Sequence, residues 1–325
     1  MHMHLKFGLF IDPLFLAASY PACEQQAVEA ERLGFETVWV SDHLMSGSKP
    51  ILECFTTLAA LATATTTIRL GSLVACNSYR YPSVLAKIAA TIDHISNGRL
   101  EFGLGAGWND EEYLGYGIPF PSTRTRLTQL HESLEIILQM WTNETATFHG
   151  QHYQIIDAVC EPKPLQTPHP PITIGGSGER RTLRLVAQYA DRSNWSSGIV
   201  QCAHRLSVLR RHCDREQRNY DEIEKSWFGR VFLHSDLEIL RKRLQDLHQS
   251  GRLYFRPPPR SFARESFDEW FTGLVMQQLV GTPTDCLEKI RAYADLGIRN
   301  FMVNFLDFPR LETLQTFHDE IISRI

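Results

Sequence analysis

The sequence predicts a single (β/α)8 TIM barrel over residues 1–325, and three observations predict it. Eight short β-type runs alternate with helical stretches almost from end to end, the arithmetic of eight strand-helix units in a chain of this length. The runs are unbroken apolar segments more than alternations, as in a parallel sheet covered on both faces. The first run leads into "DPLFLAASYP", which has no glycine, where a doubly wound dinucleotide fold would carry G-x-G-x-x-G.

The elements follow in order. "LKFGLFI" is the first strand, followed by a helix through "EQQAVEAERLG". "TVWV" is the second, with a helix around "ILECFTTLAALATAT", and "IRLGSLVA" the third, with the helix "SVLAKIAATIDHIS". "RLEFGLG" is the fourth. After it, residues 124–141 place Leu127, Leu130, Leu134, Ile137, Leu138 and Trp141 on one face of an amphipathic helix. "PPITIGG", "DRSNW", "SWFGRVFLH" and "NFMVNFL" complete the eight, each followed by a helical pattern. Two connections are longer than a barrel needs. Residues 143–170 carry "FHGQHYQI", a hairpin pattern, and then a Pro-rich run; residues 250–279 carry "GRLYFRPPPRSFARESFDEWF". Insertions of this length at the C-terminal face serve as lids, binding loops or subunit contacts.

Composition narrows the function classes. The net charge is -4 and the basic residues are scattered, which argues against a nucleic-acid partner. Anionic ligands then need local devices. Seven cysteines, an odd number with no C-x-x-C pair, argue against a disulfide framework or a zinc site and suit a reducing, cytoplasmic setting. No apolar run approaches the roughly 18 to 20 residues that span a bilayer, and the first residues lack the ordered parts of a signal peptide.

In a barrel the ligand sits at the C-terminal ends of the strands. Those ends collect "VWVSDHL", "GSLVACNSYRYP", "GLGAGWND", "GGSGERR" and "NWSSG", polar residues and glycines that converge on one site. His43 is a candidate for proton transfer near neutral pH, and Asp42 is a candidate to fix its tautomer or to hold a loop. Adjacent side chains on a strand point in opposite directions, so the two need not touch. "GGSGERR" has a clear mechanism for an anion. Gly175, Gly176, Ser177 and Gly178 allow a tight path, a helix begins at about Glu179 to Thr182, and its free amides attract negative charge, with Arg180 or Arg181 adding more. In "LEFGLGAGWNDEEY" the glycines do not follow the dinucleotide spacing. Gly103, Gly105 and Gly107 read as floor space for a flat ring, with Ala106 between them and Trp108 and Asn109 on the substrate side.

Taken together, these stretches resemble the luciferase-like monooxygenase family, the barrel flavoproteins that include bacterial luciferase and F420-dependent oxidoreductases. The wording is most similar to the F420-using branch. The resemblance implies an acid or base near the deazaflavin at His43, a non-prolyl cis peptide at Leu73-Val74 behind the ring, and a cofactor phosphate on Gly175 to Gly178 running into Glu179. Asp42, Asn77, Gly105, Ala106, Gly107 and Arg180 fall on the cofactor side of this pattern, and Trp195 joins Trp108 and Asn109 on the substrate side. Sugar-phosphate dehydrogenases of the family carry a catalytic glutamate right after the strand-four glycines, where this chain has Trp108 and Asn109; that disfavours glucose-6-phosphate and suits an apolar or aromatic substrate. The expected cofactor is F420, the alternative FMN in a two-component monooxygenase, and a minor alternative a non-catalytic flavin-binding barrel. No metal is expected. A homodimer and a separate flavin or F420 reductase acting by diffusion are the partners the resemblance implies.

Overall fold

A computed structural model describes residues 4–11, 19–250, 266–307 and 310–325. Eight parallel strands close on themselves: β1 (Lys6–Ile11), β2 (Thr37–Val40), β3 (Arg69–Ser72), β4 (Leu100–Gly105), β5 (Ile172–Gly175), β6 (Arg192–Trp195), β7 (Glu224–Leu233) and β8 (Asn300–Phe305). The ring closes where β8 pairs with β1 and β7 pairs with both β6 and β8. The barrel expectation is met strand by strand. Because side chains alternate along each strand, one face of every strand turns inward and the other meets the helices.

The outward row makes the large apolar core. Leu9, Val38, Leu70, Phe102, Ile174 and Phe301 pack into one cluster with residues of the surrounding helices. This explains the unbroken apolar runs. Pro at the first turn starts the helices Tyr20–Arg32, Pro82–Ile95 and Pro283–Asp295, where its missing N–H costs nothing. Thr282 and Asp285 add a reciprocal capping box to the last of these.

The inward rows differ at each height. In the middle lies Trp39, fully buried. A Cβ on Gly8 would stand 2.6 Å from its Nε1, and one on Gly71 would overlap its six-membered ring. Those two glycines therefore make room for the indole. Below Trp39 the interior is charged. Arg192 is buried between Glu101, at 2.6 Å, and Glu224. Arg69 pairs with the other oxygen of Glu101, while Lys6 (2.8 Å) and Asn300 (2.9 Å) donate to Glu224. Six strands thus contribute to one paired layer. Burial acts to raise the Glu224 pKa, but Arg192, Lys6 and Asn300 overcome it and hold the carboxyl down at about 2.

Both long connections contain structure. The first is a hairpin of Ala146–His149 and Gln154–Ala158. Its turn is tied to the helix Thr123–Thr142 by Glu132, whose carboxylate accepts the N–H groups of Gln151, His152 and Tyr153. The second contains the helix Phe267–Gln277 and the short strand Leu279–Gly281, which pairs with the upper half of β7. Residues 251–265, which hold the triple proline, lie outside the described residues, as do Asp12 to Ala18 of "DPLFLAASYP". All seven cysteines are buried. Among the described residues no helix is long and apolar enough to cross a membrane.

Candidate active site

A cavity of about 650 Å³ opens over the C-terminal ends of the strands, within the common size range of small-molecule sites. Fourteen of the expected residues line it: Asp42, His43, Leu73, Val74, Gly105, Ala106, Gly107, Trp108, Asn109, Gly175, Gly176, Ser177, Gly178 and Trp195. Asn77, Glu179 and Arg180 do not. Asn77 is buried in the 3-10 turn Asn77–Tyr79. Glu179 is exposed, with its carboxylate on His204 (3.0 Å) and its carbonyl accepting from His212 Nε2 (2.7 Å). Arg180 is exposed in the turn before the helix, which starts at Thr182.

His43 leaves the end of β2 and faces Glu112, which the sequence offered only as part of an acidic run. The imidazole Nδ1–H donates to the Glu112 carboxylate at 2.9 and 3.1 Å. An ionised carboxylate only accepts, so this contact places the proton on Nδ1 and leaves Nε2 as the basic nitrogen of the neutral ring. Glu112 itself has no exposed side-chain surface. It accepts further from Leu44 N–H (2.6 Å), Met45 N–H (3.2 Å), Tyr79 O–H (2.8 Å) and Asn109 Nδ2 (2.6 Å). Burial works to raise its pKa, but His43, Tyr79 and the Leu44 amide outweigh it and keep the carboxyl below its ordinary value. The same contact explains Asn109. It is buried at the cavity wall with its amide nitrogen on Glu112, so it supports the acid.

The missed signal was a spacing. Asn109 stands at the N-cap of the helix Asp110–Gly115 and Glu112 three residues on, the N-x-x-E pattern of a helix start. Trp108 is 58% exposed and packs edge-on against His43, ring centres 5.8 Å apart. It is a rim residue.

Asp42 does not orient His43. Arg80 grips it through two hydrogen bonds (2.8 and 2.9 Å), and the Cys76 N–H donates to it at 2.8 Å. Arg80 also pairs with Glu53 and lies over the Phe55 ring at 4.7 Å. This locks the loop after β3 to β2, the loop-holding role that Asp42 also allowed. In that loop the Leu73-Val74 peptide is cis.

The glycines at the end of β4 and just after it also make room for the chain itself. A Cβ on Gly103 would overlap the Ser72 carbonyl, and one on Gly105 would lie 2.7 Å from Val74 Cγ2. Gly107, at φ +74°, would overlap the Tyr113 hydroxyl. Gly175 also faces Val74, at 2.8 Å. These glycines admit the chain's own β3 loop and Tyr113, and Val74 lines the cavity beside Gly105, Gly107 and Gly175. Cys76 Sγ contacts the Tyr113 hydroxyl at 3.1 Å, and burial pushes its thiol up to about 11.

After β5, Gly176 takes φ +123°, a conformation that needs glycine, and a Cβ on Gly178 would stand 2.8 Å from Thr182 Oγ1. Leu183 N–H closes the first turn onto the Gly178 carbonyl (3.0 Å). The amides before it stand at the positive end of the helix Thr182–Tyr189, beside the cavity.

The far wall was not anticipated. Phe10, Phe228, Arg230, Asn194 and Asn304 line it from β1, β6, β7 and β8. Strand parity carried the signal, because Phe228 and Arg230 share the face of Glu224. Among the described residues no group of three or more His, Cys, Asp or Glu is arranged to hold a metal ion.

A model of the family described as luciferase-like monooxygenase matches residues 6–300. An F420-dependent glucose-6-phosphate dehydrogenase of Nakamurella multipartita is 28% identical over 316 residues, covering 92% of this chain and 91% of its own. The enzyme of the same name from Amycolatopsis mediterranei is 33% identical over 175 residues, 52% of this chain and 50% of its own. Two solved structures share the fold. One is an F420-dependent secondary alcohol dehydrogenase in complex with an F420-acetone adduct (TM-score 0.81, 19% identity, 99% of each chain). The other is the FMN-bound oxygenating constituent of 3,6-diketocamphane monooxygenase from Pseudomonas putida (TM-score 0.81, 19% identity, 99% of each chain).

Proposed function

The chain belongs to the luciferase-like monooxygenase family, and from that premise we propose that it is an F420-dependent oxidoreductase acting on a small organic substrate. The observation that carries the reading is the His43–Glu112 pair, set in the same cavity as the Gly175–Gly178 loop. The curated relatives named as F420-dependent support the choice of cofactor.

The residues present fit that cofactor. The glycine loop leaves a cradle that a Cβ at Gly178 would close against Thr182, and its amides suit a phosphate. Val74 and Leu73 offer an apolar wall to a flat ring. When bound, F420 supplies two-electron chemistry at its deazaflavin ring. The protein's part is positional and protonic. Glu112 keeps a proton on Nδ1, so His43 Nε2 is the atom that takes a proton from a substrate hydroxyl or returns one to a carbonyl. Glu112 is not itself the base, because five donors occupy its two oxygens. Trp108 covers one side of His43 and limits water there.

Separate titrations of the purified protein with F420 and with FMN test the reading. Micromolar F420 binding with no FMN binding is the expected result. The reverse result would replace this reading with a two-component monooxygenase. Gly176→Asp, which sets a carboxylate among the loop amides, is expected to abolish F420 binding in a folded protein.

A further inference from the structure

A second cavity, of about 730 Å³, lies among the helices Leu237–Gln249, Phe267–Gln277 and Pro283–Asp295. None of its lining residues lines the cavity over the strand ends, and its volume is within the common range of small-molecule sites. Sequence spacing forms it. Leu237, Leu240 and Arg241 share one face of the first helix, and Asp285, Glu288, Lys289 and Ala292 share one face of the last. Phe271 and Val275, one turn apart on the middle helix, meet the same space. Leu240, Val280 and Tyr293 give it a buried apolar floor, while Leu237 and Met276, 54% and 75% exposed, leave apolar surface open at its rim.

The walls are pinned together. Lys289 Nζ donates to the carbonyls of Val275 (2.6 Å), Gln278 (3.1 Å) and Val280 (3.0 Å), which ties the end of the middle helix and the strand Leu279–Gly281 to the last helix. Those three bonds use every proton of the ammonium group. The other lining cation, Arg241, pairs with Asp268 and lies over the rings of Phe267 and Phe271. Asp285 is also engaged, because its Oδ2 accepts from the Thr282 N–H (2.9 Å) and hydroxyl (2.8 Å) in the capping box. Glu238 and Glu288 are different. Both line the cavity from opposite helices with exposed side chains, and among the described residues neither carboxylate has a cationic partner. Such a space favours a ligand that buries an apolar body on the floor and leaves a positive charge at the rim.

We propose that this cavity is a second ligand site, which takes small molecules with an apolar or aromatic body ending in an ammonium group. Leu240, Val280 and Tyr293 receive the body, and Glu238 and Glu288 receive the charge. The site is separate from the one over the strand ends, so the proposal does not rest on the cofactor or the reaction assigned there.

Matched probes test it: 4-phenylbutylamine against 4-phenylbutanol and 4-phenylbutyrate, one body carrying an ammonium, a hydroxyl or a carboxylate. Binding is read by calorimetry on the purified protein, with and without F420. The amine is expected to bind about fivefold more tightly than the alcohol, with the acid weakest. The double variant Glu238→Gln/Glu288→Gln removes that preference and leaves the affinity for the alcohol unchanged. Ala292→Phe, which fills the cavity from the last helix, weakens amine and alcohol alike by about tenfold. F420 affinity is unchanged in both variants and in the wild type saturated with amine. No amine binding at millimolar concentration, equal or tighter binding of the alcohol or the acid, or a preference that survives the double variant overturns the proposal. So does full amine affinity in a folded Ala292→Phe protein, or displacement of F420 by the amine. If Ala292→Phe does not fold, the double variant decides, since both its substitutions are at exposed positions. If F420 itself fails to bind while the amine preference holds, the second site stands and the cofactor reading falls.

Discussion

At the lower end of the barrel Glu101 lies between Arg69 and Arg192, and Glu224 between Arg192 and Lys6. At the upper end Glu112 lies among His43, Tyr79, Asn109 and two backbone amides. Both ends surround glutamates with donors, and the Glu224 carboxyl below and the Glu112 carboxyl above are both held below their ordinary pKa. Below, the charged partners are guanidinium and ammonium groups, which donate hydrogen bonds and have no acceptor atom. Above, the partner is an imidazole that lines the cavity. The lesson is that burial and charge alone do not mark a reactive site. A reactive site needs a partner that can change protonation state where a ligand can reach it.

The largest break in this comparison is Arg192→Met, which leaves the buried Glu101 and the half-buried Glu224 short of their common cation. The expected loss is about 3 to 5 kcal/mol of unfolding free energy, read by urea denaturation, with the F420 affinity of the folded fraction unchanged. A melting curve like the wild type's would show that the lower layer does not hold the ring closed.

Glu112→Gln acts on the other end and is expected to affect both properties. An amide cannot accept from all five donors, so stability falls by about 1 to 3 kcal/mol. His43 also loses the carboxylate that fixes its tautomer, and kcat falls by about 100-fold, while F420 affinity stays within twofold. Steady-state kinetics beside cofactor titration separates this from a merely structural role, which would move both or neither.

The smallest effect is in pH. The Glu224 carboxyl has a folded-state pKa of about 2 against an ordinary 4.5. A depressed carboxylate pKa contributes stability that is fully present above the ordinary value and is lost as pH falls through the folded one. Stability attributable to Glu224 should therefore decline between about pH 4.5 and 2. In Glu224→Gln that limb of the acid denaturation curve should flatten, and an unchanged curve would remove Glu224 from the account.

Much of this was legible in the chain. All eight strands and the hairpin could be read from apolar runs and turn residues, and His43, Trp108 and the β5 glycine loop from their places at strand ends. What stayed hidden depended on inward and outward parity. Glu101, Arg192 and Glu224 sit inside or beside apolar runs, and only a closed ring brings them together. The Asn109–Glu112 contact is hinted at only by the N-x-x-E spacing, which marks a helix start and does not say that the amide meets the carboxylate. The close approach of Ser72 and Val74 to the β4 glycines is invisible along the chain because that segment belongs to a different strand end. Asp42 and Arg80 show the opposite case, in which a polar pair at a strand end holds a loop.

The strand β7 has ten residues, and its inward row runs Glu224, Ser226, Phe228, Arg230, from the sealed floor to the wall of the mouth. Its lower half pairs with β6 and its upper half with Leu279–Gly281. Removing one residue from its middle would turn either the floor glutamate or the mouth arginine to the wrong face of the sheet. The strand can therefore diverge by substitution but not by insertion or deletion. Variation in chain length around this site is left to the loops, while β7 keeps a fixed count between the end that closes the barrel and the end that meets a ligand.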